Sequence, residues 1–165
     1  MVVTYNRKQL LLECIKRICN QTRSVEAIYI IDNASTDGTG QALFDKGYIP
    51  VLPPENLQKR WEYESNFKLV SKNIDIKIYY LRLNKNLGGA GGFYEGIKAG
   101  YEKEYEWLWL MDDDGSPDNE CLEKLLRFRD EAHFICPLVL LKKNDNHLSF
   151  GLIDYENRKK KLRVS

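Results

Sequence analysis

The apolar run Trp107-Leu108-Trp109-Leu110-Met111 stops on three consecutive carboxylates, Asp112-Asp113-Asp114, and then on Gly115-Ser116-Pro117. An apolar run that ends at a turn reads as a buried strand delivering its last side chains to a sheet edge. Adjacent negative charges raise one another's pKa, so the triplet is unfavourable unless a cation joins it. Side chains alternate along a strand, which predicts Asp112 and Asp114 on one side and Asp113 on the other. Two convergent carboxylates make a hard-oxygen site suited to Mg2+ or Mn2+, shared with phosphate oxygens. A solvated turn is the competing reading, and the apolar residues just before the triplet argue against it.

The rest of the chain supplies the sheet that such a strand needs. Val2-Val3-Thr4 reads as the tail of a first strand, and Leu11, Leu12, Ile15, Ile18 and Cys19 form the stripe of a helix. Ala27 to Ile31 is a second buried strand, ending in the polar cluster Asp32-Asn33-Ala34-Ser35-Thr36-Asp37-Gly38-Thr39, where Ser35, Thr36 or Asp37 can cap a helix. Residues 45–60 carry Pro50, Pro53 and Pro54 and read as an irregular excursion. The spacing of Leu57, Trp61, Glu64 and Lys68 predicts a helix after it. Ile76 to Leu83 is a third strand, the aspartates end a fourth, and Phe134 to Leu141 is a fifth. Between them lie a helix with Phe93, Ile97 and Tyr101 on its apolar face, and another opened by Ser116 and Pro117 and buried through Leu122, Leu125 and Leu126. Phe150 to Ile153 and Lys161 to Val164 pair as a hairpin around Glu156-Asn157.

Strands alternating with helices predict an α/β fold: a mainly parallel sheet with helices on both faces, a three-layer sandwich. Ligands of such sheets bind beyond the carboxyl ends of the strands. One site there would collect Thr4 to Arg7, Asp32-Asn33, the glycine loop and the aspartates.

Composition narrows the partners. Lys plus Arg number 25 against 24 for Asp plus Glu, and this balance argues against bulk binding of nucleic acid. No apolar run approaches the roughly 18 residues of a membrane-spanning helix, and no signal peptide is visible, which predicts a cytoplasmic protein. Cys14, Cys19, Cys121 and Cys136 match no zinc or redox spacing and read as reduced core thiols. Arg158-Lys159-Lys160-Lys161 reads as a solvated hairpin face, with attraction to the inner face of a membrane as the alternative.

The loop Asn86-Leu87-Gly88-Gly89-Ala90-Gly91-Gly92 is no P-loop, because no Gly-Lys-Ser/Thr follows, and no dinucleotide fingerprint, because Tyr94 stands where glycine is required. It leaves two readings: a helix entry packed tightly on the sheet, or a backbone that approaches a ligand with its N–H groups facing negative charge. Asp32-Asn33 could hydrogen-bond a flat ring such as uracil, carboxylate to imide N–H; an Asx-type turn and helix cap is the competing reading, and the one preferred for Asp37.

Taken together, Val2-Val3-Thr4-Tyr5-Asn6-Arg7, Ile31 to Thr39, Asn86 to Gly92 and Met111 to Gly115 resemble family 2 glycosyltransferases of the GT-A fold, in the family's order and spacing. The doubled glycines and the triple aspartate look most like the galactofuranosyltransferase branch, with rhamnosyltransferase-like enzymes next. The resemblance implies an inverting transferase that uses a nucleotide-sugar donor, a glycan or lipid-linked acceptor, and Mn2+ or Mg2+. It matches Thr4, Tyr5 and Arg7 to the segment lining the nucleotide, Asp32, with Asn33 beside it, to the reader of the base, and Gly88, Gly89 and Ala90 to the loop over nucleotide and ribose. Asp112 and Asp114 match the metal ligands, and Asp113 faces the donor sugar.

The family's general base lies well beyond the aspartates, and no base motif is found after Asp114. Residues 1–165 therefore read as one GT-A nucleotide-sugar-binding domain of a truncated family member, lacking the acceptor and base segment, with its oligomeric state open. Two alternatives compete. A nucleotidyltransferase would carry a basic glycine-rich signature near the first strand, which is missing. A non-catalytic binding or assembly module would keep the fold without the base.

Overall fold

The computed structural model describes residues 1–141, 144–154 and 159–163. They divide into two compact units, Met1–Glu120 and Cys121–Ser165.

The first unit is built on a five-stranded sheet. In chain order its strands are β1 (Val2–Thr4), β2 (Ala27–Asp32), β3 (Trp61–Leu69), β4 (Ile74–Arg82) and β5 (Met111–Asp112), and across the sheet they run β3-β4-β2-β1-β5. All neighbours pair in parallel except β3, which lies antiparallel to β4 at one edge. Parallel strands need crossovers, and α1 (Lys8–Cys19), α2 (Thr39–Asp45) and α3 (Gly88–Glu102) provide them. The α1 stripe of Leu11, Cys14, Ile15 and Ile18 and Leu43 of α2 bury against Val2, Ile28, Ile30, Ile76 and Ile78 on one face. The other face, with Val3, Tyr29, Ile31, Leu81 and Leu83, packs against α3 through Phe93 and Ala99. Burying each such aliphatic side chain contributes roughly 1.5–3 kcal/mol. The result is the mainly parallel sheet between two helical layers that the sequence predicts, consistent with the Rossmann-like GT-A fold.

Several local expectations are corrected. No helix follows residue 57: Trp61–Leu69 is a strand whose half-buried and exposed residues alternate without exception. Trp61, Tyr63, Phe67 and Leu69 hold the half-buried side, so the governing period is two rather than 3.6. The apolar run before the aspartates is strand only at Met111–Asp112, because its neighbour β1 offers Val2 and Val3 alone, and Trp107 to Leu110 are half-buried coil. α4 (Cys121–Leu126) begins four residues after Pro117. The carbonyls of Asp118 and Asn119 accept from the Gln21 side chain and the Thr22 N–H instead of closing a helical turn.

The face of α3 is also different. Ile97 and Tyr101 are exposed, and Gly92, Gly96 and Gly100 form the buried side. A Cβ on Gly92 would fall 2.6 Å from Cγ1 of Val3, and one on Gly96 2.9 Å from Cγ1 of Ile31. The helix lies so close to β1 and β2 that only glycine fits there.

The second unit holds α4 and an antiparallel sheet, β6 (Leu140–Leu141), β7 (Asn144–Asp154) and β8 (Lys159–Arg163), in the order β6-β7-β8. Leu122, Leu125 and Leu126 of α4 are half-buried. Of the expected fifth strand only Leu140–Leu141 forms. Pro137, which has no N–H to give a ladder, interrupts the run, and Phe134, Leu138 and Val139 are exposed. The hairpin is present, with Leu152, Ile153 and Asp154 opposite Lys161, Lys160 and Lys159. Glu156, Asn157, Arg158 and Val164 lie outside the described residues. Cys14 and Cys19 are buried, but Cys121 is half-buried and Cys136 exposed, so only two are core thiols. Among the described residues no helix is long and apolar enough to cross a membrane.

Candidate functional site

Because β1, β2, β4 and β5 are parallel, their carboxyl ends meet along one edge. The register sets Thr4 beside Asp32, Asp32 beside Arg82, and Val3 beside Asp112. The loops after these strands therefore converge by topology, and side-chain bonds join them.

The aspartate triplet is tied to the first strand. Thr4 Oγ1 donates to Oδ2 of Asp113 at 2.8 Å, and both residues are buried. A guanidinium nitrogen of Arg7 lies 3.3 Å from Asp113 Oδ1 and 3.5 Å from Asp114 Oδ2. Burial alternates along the triplet: Asp113 is enclosed, while Asp112 and Asp114 are exposed. The Asp112 carboxyl is held above its ordinary pKa, first by desolvation and then by the charges of Asp114 and Asp113, with Arg7 opposing. Among the described residues no group of three or more His, Cys, Asp or Glu side chains is arranged to hold a metal ion. Two exposed carboxylates suit a hard divalent ion whose shell is completed by water and phosphate, the usual manner of Mg2+.

Asp32 is fully buried and surrounded by donors. Its Oδ2 accepts from the Tyr80 hydroxyl at 2.6 Å and from Arg82 at 2.8 Å, and its Oδ1 accepts from the Ser35 N–H at 2.7 Å. Arg82 also donates to the Ser35 carbonyl at 2.8 Å, so it clamps both ends of the turn after β2. Burial first, and then the Asp32 charge, hold the Tyr80 phenol above its ordinary pKa. Asn33 is buried beside this group and binds the glycine loop through Leu87 and Gly88. Its own N–H donates to the Thr4 carbonyl at 2.9 Å. Asn6 links to the same turn, taking the Thr36 N–H on its side chain and giving its N–H to Ser35 Oγ.

Asp37 takes the N–H groups of Thr39 and Lys8 and the Thr39 hydroxyl. Burial alone would raise its pKa, but these bonds and the Lys8 charge outweigh burial and lower it. It is thus an Asx-type turn residue at the start of α2. Gly88, with φ of +73°, and Gly89 have open space where a Cβ would stand, unlike Gly92 and Gly96. Tyr5 is exposed at the same edge.

The structure thus joins Thr4, Arg7, Asp113 and Asp114 in one cluster and Asp32, Asn33 and Gly88 in a second, and the Asn33–Thr4 bond connects them. Tyr80 and Arg82 escaped the sequence reading, and Asn6 entered it only within the segment Thr4 to Arg7. Arg82 had a signal: a cation at the end of the otherwise apolar Ile78-Tyr79-Tyr80-Leu81, at the edge where the other polar clusters lie.

The sequence model of the family described as "Glycosyl transferase family 2" matches residues 1–58 and 64–163. Galactofuranosyltransferase GlfT1 of Mycobacterium tuberculosis is 29% identical over 155 residues, which are 92% of this chain and 42% of that protein. Galactofuranosyltransferase GlfT1 of Mycolicibacterium smegmatis is 28% identical over 127 residues, 76% of this chain and 33% of that protein. The chain therefore spans less than half the length of these relatives. No solved structure matches it.

Proposed function

The chain belongs to glycosyl transferase family 2, and from that membership we propose that it binds a nucleotide-diphosphate sugar, UDP-linked, at the carboxyl edge of its sheet and serves inverting sugar transfer to a glycan or lipid-linked acceptor. The observation that carries this reading is the Thr4–Asp113–Arg7 cluster, which fixes the triplet at the edge and leaves Asp112 and Asp114 exposed to a ligand.

In this proposal Asp112 and Asp114 hold Mn2+ or Mg2+ together with the donor's diphosphate. The ion supplies neutralisation of the charge that develops on the leaving nucleoside diphosphate. Arg7, exposed and held to Asp113 at 3.3 Å, can exchange its looser 3.5 Å contact with Asp114 for a phosphate oxygen. Asp113, held by Thr4, faces the sugar; Tyr5 borders the nucleotide; Gly88, Gly89 and Ala90 lie over nucleotide and ribose. Asp32 serves the base from behind, by fixing Arg82, Tyr80 and Ser35, the three protein donors that its own oxygens accept. The relatives' name puts a galactofuranosyl donor first in any screen.

The test is a thermal-shift screen of UDP- and dTDP-sugars with Mn2+ and with chelator, since a specific ligand stabilises the native state. A metal-dependent shift with UDP compounds that is lost in Asp112→Ala and Asp114→Ala supports the proposal; equal UDP affinity with Mn2+ and with chelator overturns it. A non-catalytic donor-binding module is the competing reading. Sugar transfer by this polypeptide alone would eliminate it.

A further inference from the structure

β3 and β5 form the two edges of the five-stranded sheet, and they end it differently. β5 is two residues long, and an edge that short offers little to another strand. β3 is nine residues long, carries no proline, and pairs with β4 from Trp61 to Leu69 without a bulge. In an antiparallel strand alternate residues give their N–H and C=O groups to the neighbour, and the others point theirs the opposite way. The outward groups of β3 meet no protein partner among the described residues. A long, regular, open edge of this kind is a template for a further strand.

The residues of β3 select the partner, because the strand complements itself. Set antiparallel to a second copy about Ser65, it brings Trp61 opposite Leu69, Glu62 opposite Lys68, Tyr63 opposite Phe67 and Glu64 opposite Asn66. The even-numbered residues are the exposed ones and the odd-numbered residues the half-buried ones, so each polar side chain meets a polar one. Two Glu62–Lys68 pairs result, one at each end, with Cβ atoms about 5 Å apart. Lys68 has no ion pair of its own among the described residues, and Glu62 meets Arg60 through Oε1 alone, so both can accept a partner. Centring the pair on Glu64 instead would confront Glu64 with Glu64 and Lys68 with Arg60, and like charges directly opposite are unfavourable. Centring it on Asn66 shortens the ladder to Tyr63–Leu69 and gives up Trp61 and Glu62.

The odd-numbered side adds apolar surface. Trp61 and Tyr63 stack at 5.7 Å, and Phe67 packs on Tyr48 at 4.7 Å, yet Trp61, Tyr63, Phe67 and Leu69 are only half-buried in the single chain. Opposed as Trp61 with Leu69 and Tyr63 with Phe67, they form the aromatic and aliphatic cross-strand pairs that stabilise a sheet.

We propose that β3 is a dimerisation edge, which pairs antiparallel with β3 of a second copy of this chain about a twofold axis at Ser65, a Glu62–Lys68 ion pair closing each end. The five-stranded sheets of the two copies then run on as one. Such a pairing uses the same patch on both copies and therefore closes at two. It occupies no residue proposed for the donor, and the twofold axis points the carboxyl edges of the two sheets in opposite directions. The dimer thus stands or falls independently of the proposed activity.

The test is sedimentation equilibrium of the full chain over a range of concentrations, for the parent, Glu62→Lys and Lys68→Glu. The parent should pass from one copy to two as its concentration rises. Each reversal sets like charges at both ends of the ladder and should weaken dimerisation about tenfold or more. An equal mixture of the two variants should recover the dimer, because the mixed pair has opposite charges at both ends. Both substituted side chains are exposed, and Arg60 keeps Glu95 at 2.7 Å when Glu62 is reversed, so urea midpoints should show both variants folded. Amide exchange in the parent gives a reading that needs no variant: alternate N–H groups of β3 should gain protection as the dimer forms. A parent that remains a single copy at every concentration would overturn the proposal. So would a dimer that leaves the β3 amides unprotected, one that neither reversal weakens, or a mixture of folded variants that regains nothing.

Discussion

The side-chain amide of Asn33 donates to the carbonyl of Gly88 at 3.0 Å, across 55 residues of chain. The same side chain accepts the Leu87 N–H at 2.8 Å. A single buried amide at the end of β2 thus fixes the entrance of α3, the segment proposed to lie over the nucleotide. Asn33→Asp keeps the shape and the acceptor but loses the donor, and sets a carboxylate against a carbonyl. We expect a stability loss of about 1–3 kcal/mol in urea unfolding, the usual result of an unsatisfied buried polar group. The UDP-dependent thermal shift should shrink as well. Unchanged stability together with unchanged nucleotide binding would show that this bond does not hold the loop.

Asp32 is buried with three donors around it, one of them the Arg82 guanidinium at 2.8 Å. Asp32→Asn leaves that cation, itself mostly enclosed, without its counter-charge. Breaking a buried pair from one side costs roughly 3–5 kcal/mol. Replacing Arg82 by Met as well removes the stranded charge, so the double variant should recover part of the loss. Denaturant midpoints of the two single variants and the double would give the coupling directly. Strict additivity would mean that the pair does not act as a unit.

These two residues also mark how far the sequence could be read. The strand-helix alternation, the parallel edge and the meeting of Thr4, Asp32, Asn33 and the aspartates there follow from apolar runs that end in polar clusters, and topology then enforces the rest. The partners of Asp32 did not follow. Tyr80 and Arg82 lie within a strand, and only the register between β2 and β4 brings them to it. The strand Trp61–Leu69 was hidden by a coincidence: Leu57, Trp61, Glu64 and Lys68 fall at helical spacing, whereas the aromatic residues beside them keep a period of two. The glycines of α3 offered two readings because their surroundings differ along one helix: Gly92 and Gly96 are packed on the sheet, whereas Gly88 and Gly89 face open space.

The Asp112 carboxyl, held above its ordinary pKa by desolvation and by Asp114 and Asp113, gives the metal-free protein a definite pH response. A raised carboxyl pKa means that the folded chain binds the proton more tightly than the unfolded one. This contribution to stability is therefore largest at low pH and falls as pH rises from the unfolded value, about 4, through the raised folded value. Above that window the ionised group is a liability, so Asp112→Asn should stabilise the metal-free protein at pH 7. The side chain is exposed and screened, which limits the gain to about 1 kcal/mol or less, and to no more than about 4 °C in Tm. Added Mn2+ with UDP should stabilise the parent protein and not the variant. A lower Tm for metal-free Asp112→Asn at pH 7 would contradict the proposed crowding of charge.

Gly89 and Gly92, three residues apart, separate the two uses of the glycine loop. Around Gly89 nothing lies within 4 Å of an added Cβ, whereas at Gly92 the Cβ would stand 2.6 Å from Val3 Cγ1. Val3 is a β-branched residue of a buried strand and has little freedom to move aside. Gly92→Ala should therefore destabilise by about 1–3 kcal/mol through overpacking, less a gain of up to about 1 kcal/mol in helix propensity. Gly89→Ala meets no such contact and should leave the urea midpoint unchanged or slightly raised. Its methyl group projects instead into the open space where the proposal places the nucleotide, so the Mn2+- and UDP-dependent thermal shift should fall. The pair of variants thus exchanges effects: stability is lost at Gly92 with binding kept in the molecules that remain folded, and binding is lost at Gly89 with stability kept. If Gly89→Ala bound UDP as tightly as the parent chain, the donor would have to lie away from the start of α3.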